Sequence, residues 1–184
     1  MKRAVQALQA LRRLVPAVLA CALLAACAVT TATSSGGSAL ERGAKWALLP
    51  MVNHTEVPQA GLRAEAITEA LLRARGVSDL RRYPPNLNPD SLLDPGERKV
   101  QDDAAKWARD QGIRYGLQGA VDEWRYKVGV DGEPAVGVAL QVVDLSTGAV
   151  VWSAVGAKSG WSREALSGVA QKLIGDLLAR APLQ

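Results

Sequence analysis

Residues Tyr115 to Gly156 read Tyr-Gly-Leu-Gln-Gly-Ala-Val-Asp-Glu-Trp-Arg-Tyr-Lys-Val, then Gly-Val-Asp-Gly-Glu-Pro, then Ala-Val-Gly-Val-Ala-Leu-Gln-Val-Val-Asp, Leu-Ser-Thr-Gly and Ala-Val-Val-Trp-Ser-Ala-Val-Gly. Three β-rich runs alternate with two turn signals. Asp131-Gly132 tolerates positive φ and suits a tight hairpin. Ser146-Thr147-Gly148 does the same before Val150. The stretch predicts a three-stranded antiparallel meander, and the rest of the chain supplies helices to cover it.

Upstream, Trp46 to Val52 is a short apolar run that predicts a buried strand, bulged or near an edge at Pro50, which cannot donate to a ladder. Gln59 to Arg75 carries Ile67, Leu71 and Ala74 at helical spacing and stops at Gly76. Ser78 to Tyr83 predicts a short strand, and Asn86 to Gly96 an exposed loop rich in Pro, Asn, Asp and Gly. A second helix over Glu97 to Gln111 buries Ala104, Ala105, Trp107 and Ala108 and ends at Gly112. After the meander, Ser162 to Arg180 predicts the last helix, with Ser162 as N-cap and a stripe of Leu166, Val169, Leu173, Ile174 and Leu177. The order β-α-β-α-β-β-β-α points to a mixed α+β domain over residues 45–184, its mixed sheet packed against helices.

The amino terminus has the features of a secretion signal over residues 1–26. Basic residues precede an apolar run from Leu14 to Ala26 that is too short to span a bilayer. It ends Leu24-Ala25-Ala26-Cys27, which resembles the lipobox of bacterial lipoproteins. That resemblance implies acylation of Cys27, with two or three chains for stable anchoring. Ala28 after it resembles the pattern of lipoproteins sorted to the outer membrane. Val29 to Gly43, rich in Thr, Ser, Gly and Ala, predicts a flexible tether with a reach of roughly 20 Å.

The 184 residues suit one domain, and 48% hydrophobic with 22% charged residues is globular composition. The formal charge of +4 argues for nucleic acid only until it is located. Four of the 22 basic residues lie before Ala26 and no acid does, so the mature chain balances its 18 acids. No basic stripe remains for phosphates, so no nucleic acid is expected. Cys21 leaves with the signal and Cys27 is acylated, so no thiol remains for a disulfide or metal site. No cofactor is expected beyond the lipid on Cys27.

No catalytic constellation emerges. His54 is the single histidine and falls in a surface loop. Neighbouring residues on a strand point to opposite faces, so Asp122 and Glu123 are not expected to grip one substrate atom. Asp102 and Asp103 diverge by about 100° on a helix, and a solvated face suits both pairs.

Five blocks carry a resemblance: Trp46-Ala-Leu-Leu-Pro50, Asn53-His-Thr-Glu-Val-Pro-Gln-Ala-Gly61, Val121-Asp-Glu-Trp-Arg-Tyr-Lys127, Asp131-Gly-Glu-Pro-Ala-Val-Gly137 and Gly160-Trp-Ser-Arg-Glu164. From about Trp46 to the last helix the chain resembles the PelC family of outer-membrane lipoproteins, needed for export of the Pel exopolysaccharide of biofilms. The resemblance implies a non-enzymatic, dodecameric ring on the periplasmic face of the outer membrane. It implies an acidic funnel facing the periplasm and the opposite face toward the membrane. The implied partners are a PelB-like β-barrel and a cationic amino-sugar polymer. Asp131, at a hairpin tip, is a pore acid or a turn residue only; Glu133 and Asp122 are further acidic candidates. Trp161 and Arg163 lie before a helix, outside any apolar run, where an indole suits a membrane interface. Trp46, Trp107, Trp124 and Trp152 lie within predicted elements and are core or subunit contacts. The competing readings are a monomeric periplasmic binding lipoprotein for a small ligand or cell-wall component, and a polymer-modifying hydrolase.

Overall fold

The computed structural model describes residues 33–35, 38–84, 97–129 and 132–184. The expected signal segment, Cys27 and the Asn86–Gly96 loop lie outside them. The elements in chain order are β1 (Thr33–Ser35), β2 (Trp46–Asn53), α1 (Ala60–Ala74), β3 (Leu80–Arg82), α2 (Glu97–Asp110), β4 (Tyr115–Tyr126), β5 (Pro134–Asp144), β6 (Ala149–Ser159) and α3 (Leu166–Leu178). They build a six-stranded sheet in the order β1-β6-β5-β4-β2-β3. β2 runs parallel to β3 and β4, whereas β4, β5 and β6 form the expected antiparallel meander. The fold is mixed α+β. Both turn signals end in glycines at positive φ, Gly132 and Gly148. At the second, Asp144 Oδ1 accepts from the Ser146 N–H at 2.9 Å and from its hydroxyl. These bonds, the hydroxyl first, hold the Asp144 carboxyl below its usual range.

Strand alternation sorts the side chains onto two unlike faces. Trp46, Leu48, Tyr115, Leu117, Val138, Leu140 and Trp152 belong to the main core beneath α1 and α3. Ala47 and Leu49 point the other way, into a smaller cluster with Tyr83, Ala104, Ala108, Ile113 and Leu145 that seats α2 on β2. There Tyr83 and Trp107 meet edge to face at 5.4 Å, a favoured aromatic geometry. Trp46, Trp124 and Trp152 are buried, as expected of residues within elements. Beyond α2's reach, no described helix covers the second face of β4, β5 and β6.

Three expectations change, and a fourth is met in one of its two forms. The α1 stripe is Ala60, Ala64, Thr68 and Leu72, whereas Ile67 and Leu71 are half-buried and Ala74 is exposed. Small side chains let the helix lie against β2: a Cβ on Gly61 would stand 2.4 Å from the Met51 carbonyl oxygen. α3 starts at Leu166, because Arg163 takes a positive φ of 72° that ends any helical continuation upstream. Ser162 is therefore not its N-cap, and Ala165 stands there without a side-chain bond. β2 is bulged between Leu48 and Met51, as expected at Pro50, and lies inside the sheet rather than at its edge. It meets β3 only as far as Leu48, so Pro50 owes that neighbour no donor. Finally, the expected Val29–Gly43 tether is partly structured. Thr33–Ser35 pairs with β6, and Leu40 is fully buried. The Leu40 N–H donates to the Pro182 carbonyl and its own carbonyl accepts from Gln184, joining the two ends of the described body.

Candidate functional site

A second bulge builds the site. β4 pairs Val121 with Val138 but Glu123 with Gly137, leaving Asp122 as the extra residue. Val121 and Trp124 are both buried in the main core. Two inward residues three apart on a strand leave both intervening side chains on the outer face. Asp122 and Glu123 therefore share one face, contrary to the opposite faces expected of a regular strand. The geometry at Gly137 agrees: a Cβ there would lie 3.4 Å from the Glu123 Cβ and 3.9 Å from that of Asp122.

Both acids open onto a cleft of about 700 Å³ on the second face of the sheet, beyond the part that α2 covers. Its floor is Gly137 with Val155, Gly156 and Ala157, and its rim is Thr55, Glu56 and Val57. The rim is shaped by Asn53, whose Oδ1 accepts from the Thr55 N–H at 3.1 Å while its Nδ2 donates to the Val57 carbonyl at 2.9 Å. His54 is exposed on this loop, as expected, yet it is tied to the bulge. Its N–H donates to the Val121 carbonyl at 2.9 Å, and Nδ1 lies 2.7 Å from Asp122 Oδ1. Arg125 Nε donates to Glu123 Oε1 at 3.0 Å. The cleft thus presents carboxylates whose remaining oxygens can accept from cationic or hydroxylated groups. Among the described residues no group of three His, Cys, Asp or Glu side chains is placed to hold a metal ion.

The other candidates gather at one end of the sheet, where β4 finishes, β5 starts and β6 finishes. The Lys127 N–H donates to the Glu133 carbonyl at 2.7 Å, and the Gly160 N–H to that of Pro134 at 2.8 Å. Glu133 is exposed. Asp131 lies outside the described residues, as does Cys27. Trp161 is 73% exposed, with Tyr126 half-exposed and Val128 fully exposed at the same end. Trp161 is set by a tight local frame. Its N–H donates to Glu164 Oε2 at 3.1 Å, and Lys172 grips the other oxygen. The Lys172 bond first, then the Trp161 N–H, hold the Glu164 carboxyl below its usual range. The Tyr126 hydroxyl accepts from the Leu166 N–H at 3.1 Å. A Cβ on Gly160 would meet Val169 Cγ2 at 2.5 Å and Pro134 Cγ at 2.9 Å, so any larger residue here would push these side chains aside.

Glu133 and Trp161 therefore share an end of the sheet, while Asp122 sits about 13 Å back along β4. Among the described residues no helix is long and apolar enough to cross a membrane. The sequence reading missed Glu56 and the engagement of His54 by Asp122. The break in alternation between Val121 and Trp124 was the available signal.

Among solved structures, the chain is similar to the PelC dodecamer from Paraburkholderia phytofirmans, at 45% identity and a TM-score of 0.71, covering 85% of this chain and 99% of that one. A leucine-to-methionine variant of that dodecamer in another crystal form matches at 47% identity and a TM-score of 0.70, with the same coverage. The lipoprotein GNA1162 from Neisseria meningitidis shares the fold, at 19% identity and a TM-score of 0.53, over 74% of this chain and 96% of that one. No protein-family model and no curated protein matches the chain.

Proposed function

The chain belongs to the PelC family, and we propose that it is a non-enzymatic lipoprotein of the outer membrane, anchored on the periplasmic side by an acylated Cys27. It assembles into a dodecameric ring that guides the cationic Pel exopolysaccharide toward a PelB-like β-barrel. The supporting observation is that relatives 45% and 47% identical over nearly their whole length are dodecamers. A ring repeats each acidic side chain once per subunit, and a narrow mouth with low-dielectric walls focuses their field. Weak attraction repeated in this way moves a polycation along, where one tight site would hold it.

In this reading Asp131 and Glu133 line the passage from the β4–β5 hairpin, with Asp122 farther along it. Trp161 and Arg163 meet the membrane. The exposure of Trp161 supports that role, since an indole is favoured where apolar and wet media meet. Glu133 and Trp161 leave one end of the sheet, so this reading departs from the funnel implied above: its acidic passage begins beside the membrane rather than on the face opposite to it. Replacing Asp131 and Glu133 by Lys is expected to lower polymer secretion while the protein stays folded and assembled. Secretion at the level of the unmodified protein would remove this hairpin from the mechanism. Cys27→Ser is expected to leave the precursor without lipid, and lipid labelling that persists would refute the anchor.

The cleft of about 700 Å³ favours one second reading, a monomeric binding module for a small ligand or cell-wall component. Saturable binding of such a ligand by a protein that never self-associates would select it.

A further inference from the structure

A second, smaller cleft lies on the same face of the sheet as the acids, and its chemistry is different. β4 and β5 set Gln118 directly opposite Gln141 and, two residues on, Ala120 opposite Ala139, so that all four side chains share that face. With Gln101 from α2 they line a hollow of about 230 Å³. Among the described residues no Asp, Glu, Lys or Arg lines it. The alanines form a shallow floor, and three carboxamides from three elements stand around it. Gln118 Nε2 donates to Gln141 Oε1 at 3.5 Å, the long limit of a hydrogen bond, so a ligand that takes over either amide displaces little. The remaining amide atoms of the pair have no protein partner among the described residues. His54 forms a wall of this hollow, and its contact with Asp122 at 2.7 Å joins it to the acid cleft.

We propose that this hollow is a neutral subsite of the passage, which takes the acetamido group of an N-acetylated amino sugar. This rests on the reading of the chain as a guide for an amino-sugar polymer, and adds which units of the polymer the sheet face meets beyond Asp122. The nitrogen of an amino sugar is either a free ammonium or an acylated amide. The ammonium suits the carboxylates of Asp122 and Glu123. The amide carries no charge and pairs one donor with one acceptor, which a glutamine carboxamide matches group for group. A site lined by carboxylates alone would leave the amide carbonyl without a donor. The floor of Ala120 and Ala139 leaves room for the acetyl methyl and offers it apolar contact. Gln118 precedes Asp122 by four residues, about 13 Å of strand. One extended chain laid along β4 therefore meets amides at one end and carboxylates at the other.

The test uses the full-length protein in detergent and saturation-transfer NMR, which reads weak ligands on large assemblies. The probes are a tetramer of N-acetylglucosamine, a tetramer of glucosamine and a tetramer of glucose. The N-acetylglucosamine tetramer is expected to bind saturably, its acetyl methyls receiving the strongest transfer. It should bind equally at low and high salt, because no charge pair forms. Gln118→Met with Gln141→Met keeps the length of both side chains and is expected to weaken that binding about tenfold, with light scattering and circular dichroism unchanged. Gln141→Glu, at an exposed position, should also weaken it and should strengthen binding of the glucosamine tetramer. Unchanged binding of the acetylated tetramer in both variants would overturn the subsite, as would a glucose tetramer that binds equally well. No binding of the acetylated tetramer, with salt-sensitive binding of the glucosamine one, would overturn the subsite and leave the acidic passage standing. Binding of neither amino-sugar tetramer would overturn both.

Discussion

Neighbouring strands β2 and β4 each carry a bulge, and the two do opposite things. The β2 bulge turns inward. The Met51 N–H donates to Glu65 Oε1 at 3.0 Å, and Glu65 Oε2 is held by Arg82 at 2.7 Å. Glu65 is only 5% exposed, and Gly61 lets α1 lie directly on the irregular backbone. The β4 bulge turns outward: Asp122 faces solvent, takes His54 as partner and brings Glu123 to the same side. A bulge whose freed groups find buried partners is part of the framework. One whose extra residue points outward re-aims chemistry instead.

The contrast is best broken at its buried side. Glu65→Ala leaves the Met51 N–H and the Arg82 guanidinium without their shared acceptor, and is expected to lower stability by about 3 kcal/mol in urea unfolding. A loss under about 1 kcal/mol would mean that the β2 bulge does not need its carboxylate. Glycine replacements give a matched pair. Gly61→Ala meets backbone at 2.4 Å and is expected to cost about 2 kcal/mol, whereas Gly137→Ala meets its nearest atoms at 3.4 Å and should cost less than about 1 kcal/mol. Equal losses would erase the distinction between the two sites.

On the outward side, Asp122→Asn removes one charge from an exposed pair and is expected to change stability by less than about 1 kcal/mol. Its effect should appear instead as weaker, salt-sensitive attraction of a cationic glycan to the assembled protein. Unchanged attraction would take Asp122 out of the passage. The smallest expected effect lies at Glu164. Because its carboxyl is held below the usual range, the stabilisation it provides is present above the unfolded value and fades as pH falls through the folded one. Lys172→Gln removes the main cause, so the Glu164 titration followed by carboxyl NMR should move upward; an unmoved titration would assign the shift elsewhere.

The meander was legible because its alternation and its Asp-Gly and Ser-Thr-Gly turns are local signals, and the α3 stripe because five apolar residues repeat at helical spacing. The α1 stripe was misread because alanine at positions 60 and 64 carries little hydrophobic weight in a sequence yet permits the closest packing. β1 and Leu40 were read as tether because their order comes from β6 and the carboxyl terminus, far away in the chain. The site was half legible. Trp161 stood out for want of an apolar run around it, whereas the shared face of Asp122 and Glu123 depends on a register shift against β5 that composition does not express.

Light scattering of the domain purified without its signal and Cys27, over a dilution series, tests the central claim most directly. The account predicts one discrete assembly near twelve times the subunit mass. A monomer at every concentration would contradict the ring and return the outward bulge and its cleft to a single-chain binding role.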